Sequence, residues 1–181
     1  MKKRFYLYLL FSILSYCARF FDPKLFSHEM SLVLMSVANT ILITEAIKFT
    51  VVKNGSSFMM IYFFLVVGIN GGLLGYHVIE LNEYIKNDIV YSVYIFYYLN
   101  LLILGITAFI YYLNSYSRKS MFFISLALGL IFADVLRDMG IFYLKDLSIE
   151  ITESLIRLGC AVFAASFFAT KEKQLRLASM I

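Results

Sequence analysis

The chain has no tryptophan, a single proline and two cysteines, and only 15% of its 181 residues are charged. Each shortage excludes something. Soluble domains draw about a quarter of their residues from Asp, Glu, Lys and Arg, so this chain has too little charge to build a water-facing surface. With one proline, little interrupts long helices, because proline is the residue that removes a backbone donor and clashes with the turn before it. Cys17 and Cys160 fall inside apolar stretches and match no metal-ligand spacing, so both are expected to serve as small packing residues. The gaps between apolar runs, about 5–12 residues, leave no room for a separate soluble catalytic or sensor domain.

What is present is apolar: 61% of the residues are hydrophobic, among them 18 Phe and 14 Tyr. Lipid is the only solvent in which such a chain is stable. A membrane helix needs about 20 mostly apolar residues. Six segments meet that length, over roughly Phe5–Phe21, Met30–Val52, Phe58–Ile79, Ile89–Leu113, Met121–Leu144 and Ile151–Ala169. The breaks carry turn chemistry: Asp22-Pro23-Lys24, Asn54-Gly55-Ser56-Ser57, Asn82 to Asp88, Asn114 to Ser120, and Lys145 to Ser148. The fold class is therefore an all-α polytopic transmembrane bundle of about six helices, a single domain over residues 1–181. The opening MKKR followed by an apolar run also has the form of a signal peptide. Tyr16 is too bulky for a lipoprotein cleavage site before Cys17, and five spans follow, so a retained first helix is expected.

Orientation follows from the bias of Lys and Arg toward cytoplasmic loops. With the N-terminus inside, cytoplasmic ends collect Lys2, Lys3, Arg4, Lys48, Lys53, Arg118, Lys119, Lys171, Lys173 and Arg176. The opposite ends hold Arg19, Lys24, Lys86, Arg137 and Lys145, together with most of the acidic residues. This pattern predicts both termini inside and a place in the cytoplasmic (inner) membrane. The net charge of +4 sits at helix ends, where anionic lipid head groups attract it, and not on one soluble face. Membrane lipids are thus the expected partners, and nucleic acid is excluded.

An ionised side chain near the bilayer centre costs at least ~2.5–3.5 kcal/mol, so each one needs an account. Glu45 stands one turn from Lys48, which can pair with it or reach the inner interface. Asp134 is followed within a turn by Arg137 and Asp138, and the last segment places Arg157 one turn after Glu153. A short connection makes these two segments antiparallel neighbours, with Asp134 and Arg157 at similar depth. Two readings stand side by side here: an interhelical salt bridge that fixes packing, and a polar pocket open to the outer face. In Gly68-Ile69-Asn70-Gly71-Gly72-Leu73-Leu74-Gly75-Tyr76-His77, overlapping pairs of glycines four apart allow another helix to approach closely. Asn70 lies near the depth of Asp134, and His77 lies near the outer interface as a rim residue or a ligand. Tyr97, Tyr98 and Asn100 fall deeper than the interfacial tyrosines, as core or pocket lining. Without a second intramembrane His or paired Cys, no metal and no cofactor is expected.

The stretch from about Tyr91 to Phe168, a tyrosine-rich helix, a short linker and then Gly129-Leu130-Ile131-Phe132-Ala133-Asp134, resembles the YhhN-like lysoplasmalogenase family. These are small polytopic membrane proteins, and characterised members hydrolyse the vinyl-ether bond of lysoplasmalogens. Ala133 stands where that family has Ser, and the glycine stretch around Asn70 carries no carboxylate where the family has a second Gly-Asp motif. The resemblance implies Asp134 as the acid; the chemistry then needs Glu153 or His77 to direct water, and a pocket at this depth would bring Asn70, Arg157, Tyr97 and Tyr98 to the substrate. Vinyl-ether hydrolysis protonates carbon on the way to an oxocarbenium ion, so it needs a positioned acid. A tight Asp134–Arg157 pair would compete with that role. The alternative is a non-catalytic membrane subunit or scaffold whose charges serve folding and partner contact. A secondary transporter is disfavoured by the lack of an interrupted helix pair or inverted repeat.

Overall fold

The computed structural model describes residues 2–20, 27–49, 57–115 and 117–172. It contains six α-helices: α1 (Lys2–Phe20), α2 (Ser27–Ile47), α3 (Ser57–Leu81), α4 (Asp88–Ser115), α5 (Arg118–Asp138) and α6 (Leu147–Ala169). A π-helical turn, Met139–Tyr143, follows α5, and no strand occurs among the described residues. The fold is all-α and polytopic. Among the described residues five stretches are long and apolar enough to cross a membrane: Glu29–Ile47, Phe64–Leu81, Asp88–Ser115, Arg118–Tyr143 and Leu147–Ala169. The predicted turn at Asp22-Pro23-Lys24, residues Asn54 to Ser56, and the basic residues Lys53, Lys173 and Arg176 lie outside the described residues.

The described residues form two compact units, one within Met1–Glu45 and Asn54–Ile106, the other within Ala46–Lys53 and Thr107–Ile181. In the first unit α1 and α2 run antiparallel, because Arg4 meets Glu45 at one end and Ser15 meets Ser31 at the other. Helices α3 and α4 also run antiparallel. His77 bonds Tyr98, Tyr91 donates to the Val78 carbonyl, and Leu102 is the neighbour nearest Gly71. Leu32, Met35, Leu42 and Leu101 are fully or almost fully enclosed in this unit. By contrast Phe64, Ile69, Leu73, Tyr76, Ile79, Phe96 and Leu99 are exposed. Such apolar exteriors are stable against acyl chains and unstable against water.

In the second unit α5 and α6 form an antiparallel hairpin. Gly140 sits by Ile149, Asp134 meets Arg157, and Gly129 abuts Cys160, so the two helices keep one register over their length. Gly129 permits this approach: a Cβ there would lie 2.6 Å from the Cys160 sulfur. Lys119, although expected at an interface, is 1% exposed, with its ammonium 3.9 Å from the Phe49 ring centroid and 5.1 Å from that of Phe167. Those aromatic faces replace part of the hydration that burial removes.

Candidate functional site

Helix α5 starts at a capping box. Ser117 accepts from the Ser120 amide, and Ser120 accepts from the Ser117 amide. From there its buried face runs Phe123, Leu126, Ala127, Leu130, Ala133 and Asp134 to Arg137 and Asp138. The three- and four-residue spacing that keeps apolar side chains on one stripe thus carries three charged residues onto the same stripe near its end. The π-turn begins directly after Asp138, with the Leu144 amide donating to the Met139 carbonyl at 2.9 Å. Single π-turns of this kind concentrate at functional sites. The chain then extends through Leu144 and re-enters a helix where Asp146 caps α6.

Across the hairpin five charged side chains alternate in sign. Arg137 Nε donates to Asp138 at 2.7 Å and Arg137 Nη1 to Asp134 Oδ1 at 2.8 Å. Arg157 Nη2 donates to the same Asp134 Oδ1 at 2.8 Å, and Arg157 Nε to Glu153 at 2.6 Å. The order is therefore Asp138, Arg137, Asp134, Arg157, Glu153, which sets three carboxyl groups against two guanidinium groups. Enclosure falls along this row: the carboxylates of Asp138 and Asp134 are 0% exposed, the Arg137 side chain 4%, Arg157 9% and Glu153 17%. One end is sealed and the Glu153 end is the accessible one.

Of the residues singled out from the sequence, Asp134, Arg157 and Glu153 are brought together in the second unit. Asn70, His77, Tyr97 and Tyr98 belong to the first. His77 Nε2 is 3.1 Å from the Tyr98 hydroxyl, and the two rings meet edge to face at 5.2 Å. Tyr97 and Tyr98 are 0% and 2% exposed, so both are core residues of their unit. Asn70 lies on an exposed part of α3, with its amide donating back to the Val66 carbonyl at 2.8 Å. The glycines around it were expected to seat another helix. Among the described residues Gly68, Gly72 and Gly75 meet nothing within 4 Å, and Gly71 meets only the Leu102 side chain. Cys17 is likewise exposed where a packing residue was expected, while Cys160 is buried against Gly129.

Sequence reasoning missed two partners. Glu45 is 2% exposed and receives Arg4 Nη1 at 2.8 Å, from 41 residues away on another helix. Arg137 was placed at the outer rim, whereas it is 5% exposed and joins Asp134 to Asp138. The signal for it was the i,i+3 spacing from Asp134. Among the described residues no group of three or more His, Cys, Asp and Glu is placed to hold a metal ion.

Helix number, length and apolar exterior together define an integral membrane protein. No protein-family model, curated protein or solved structure matches the chain.

Proposed function

We propose that the protein is a lipid-modifying hydrolase of the cytoplasmic (inner) membrane, acting on lysoplasmalogen-like ether lysolipids through the charged row of α5 and α6. The observation that carries this reading is the row's composition. A bridge that only fixed packing would need one Asp and one Arg, yet five ionisable side chains are gathered where each is costly to bury. Carbon protonation needs an acid that the substrate can reach, and Glu153 is the most exposed carboxyl group of the row. In this reading Glu153 delivers the proton to the alkene carbon once substrate has displaced the Arg157 Nε bond that otherwise favours its ionised form. Water then adds to the oxocarbenium carbon and returns a proton, and the hemiacetal collapses to an aldehyde and a glycerol hydroxyl. Asp134 positions Arg157, and Arg157 holds Glu153.

A second reading, a non-catalytic membrane subunit, is favoured by a different observation. Asp134 is wholly enclosed and accepts from both arginines on one oxygen, as a packing device would. Purified protein incubated with a lysoplasmalogen separates the two. The hydrolase should release free aldehyde, and Glu153→Gln should slow release by about 100-fold or more, the usual yield of a positioned acid. Glu45→Gln, in the other unit, should leave the rate unchanged. A folded protein that releases no aldehyde from any ether lysolipid ends the hydrolase reading and leaves the subunit reading in its place.

A further inference from the structure

The seam of α1, α2 and α4 in the first unit holds polar atoms that the protein itself leaves unanswered. Asn39 is 0% exposed, and among the described residues neither its Nδ2 nor its Oδ1 has a hydrogen-bond partner. Ser12 Oγ, Ser36 Oγ and Asn100 Oδ1 are buried in the same condition. Ser36 lies one turn from Asn39 on α2, and register sets Ser12 at a similar depth. Arg4 meets Glu45 and Ser15 meets Ser31, so Ser12 comes level with Ser36 and its neighbours on α2. From α4, Asn100 Nδ2 donates to Thr40 Oγ1 at 3.0 Å, beside Asn39 in the chain.

Buried polar groups are almost always satisfied, and a carboxamide offers two donors and two acceptors. Whatever answers Asn39 must therefore accept from Nδ2 and donate to Oδ1. A metal cation fails the first requirement, since the amide hydrogens repel it and no carboxylate belongs to the group. A neighbouring helix outside the protein fails because Asn39 is fully enclosed. A hydroxyl group meets both requirements, and a water molecule needs only two to four such partners to be held in place.

We propose that this seam is a binding site for buried water, held by Asn39 together with Ser36 one turn away on α2. The site lies in the first unit and does not depend on the chemistry proposed for α5 and α6.

Solid-state NMR of the full chain in bilayers tests this. Ala38-Asn39 is the only Ala-Asn pair in the sequence, so labelling carbonyl carbon in Ala and nitrogen in Asn assigns Asn39 without a variant. In phosphatidylcholine bilayers its side-chain amide should receive magnetisation from water as quickly as an exposed amide does. Transfer seen only from the glycerol protons of added lysophosphatidylcholine would mean that Asn39 is open to lipid, and would overturn the proposal. Transfer from neither source overturns the proposal. Asn39→Leu gives an independent sign: it should lower the melting temperature by several degrees, because the bound water loses its partners. A rise, as expected when a dry orphaned amide is removed, overturns it too.

Discussion

Asp134 is where two arginines from two helices converge on one carboxylate oxygen, and removing one member of such a set leaves the others charged and enclosed. Breaking a buried pair in this way costs roughly 3–5 kcal/mol. Asp134→Asn should therefore lower the melting temperature in detergent more than Arg157→Gln does, because it takes a carboxylate partner from both Arg137 and Arg157, which then keep only Asp138 and Glu153. The double variant should lose less than the sum, since residues sharing an ion pair couple by about 0.5–3 kcal/mol; strictly additive losses would remove the pair from the account. This pairing was legible in the sequence because two adjacent segments put opposite charges at one depth. The Arg4–Glu45 pair was not legible, as nothing local ties residues 41 positions apart. Glycines give a second contrast. Gly129→Ala would drive its methyl group into the Cys160 sulfur, an overpacking worth about 1–3 kcal/mol, and Cys160→Ala in the same chain should recover part of the loss. Gly72→Ala meets open space and should stay within about 0.5 kcal/mol of wild type. Equal losses at the two glycines would contradict the packing described.

Helix ends depart from the apolar runs for a physical reason. Hydropathy marks where lipid is, whereas the hydrogen-bond ladder continues into charged interfacial residues: α1 begins at Lys2 and α4 at Asp88. Helix α2 stops sooner than its apolar run, closing at Ile47 with a tighter turn from the Phe49 amide to the Ala46 carbonyl at 2.9 Å. Neither event has a hydropathy signature. The start of α6 does have a sequence signature, an Asp two residues before Ser, and Asp146 accepts from the Ser148 amide at 2.9 Å and its hydroxyl at 2.7 Å. Those bonds, the backbone one foremost, hold the Asp146 carboxyl below its ordinary value of 3.8. Because the folded value is the depressed one, the cap's contribution is complete above the unfolded value and is lost as pH falls through the folded one. Thermal melts of wild type and Asp146→Ala should therefore differ at neutral pH, with wild type more stable, and converge as pH drops below about 3.8. A gap that persists at strongly acid pH would mean the cap does not act through the carboxylate.

At the scale of the whole chain, composition was enough for the class, because the lipid-facing side chains that make it insoluble are the ones found exposed. It could not reveal the division into two units, which depends on contacts between distant segments. Nor could it place the candidate residues in separate units: depth along a helix is readable from spacing, but the direction a side chain faces around the bundle is not. Topology is the property at this scale that charge counting predicts most sharply, and α1 is where it is most exposed to test. That helix spans Lys2–Phe20 and is not among the five stretches with a qualifying apolar window, since its ends carry Lys2, Lys3, Arg4 and Arg19. If α1 crosses the membrane, there are six spans and both termini face the cytoplasm; if it lies along the surface, the five remaining spans put the termini on opposite sides. Reporter fusions decide between these. Fusions after Asn54, Ser117 and Lys173 should report cytoplasm, and fusions near Lys24, Asn87 and Asp146 should report the outside, as the distribution of Lys and Arg requires. An outside signal from a fusion at the N-terminus, with Lys24 and every later site unchanged, would lay α1 along the outer surface, whereas a cytoplasmic signal near Lys24 with every later site unchanged would leave α2 uncrossed, against its apolar span. A reversal at any later loop would break the six-span arrangement altogether.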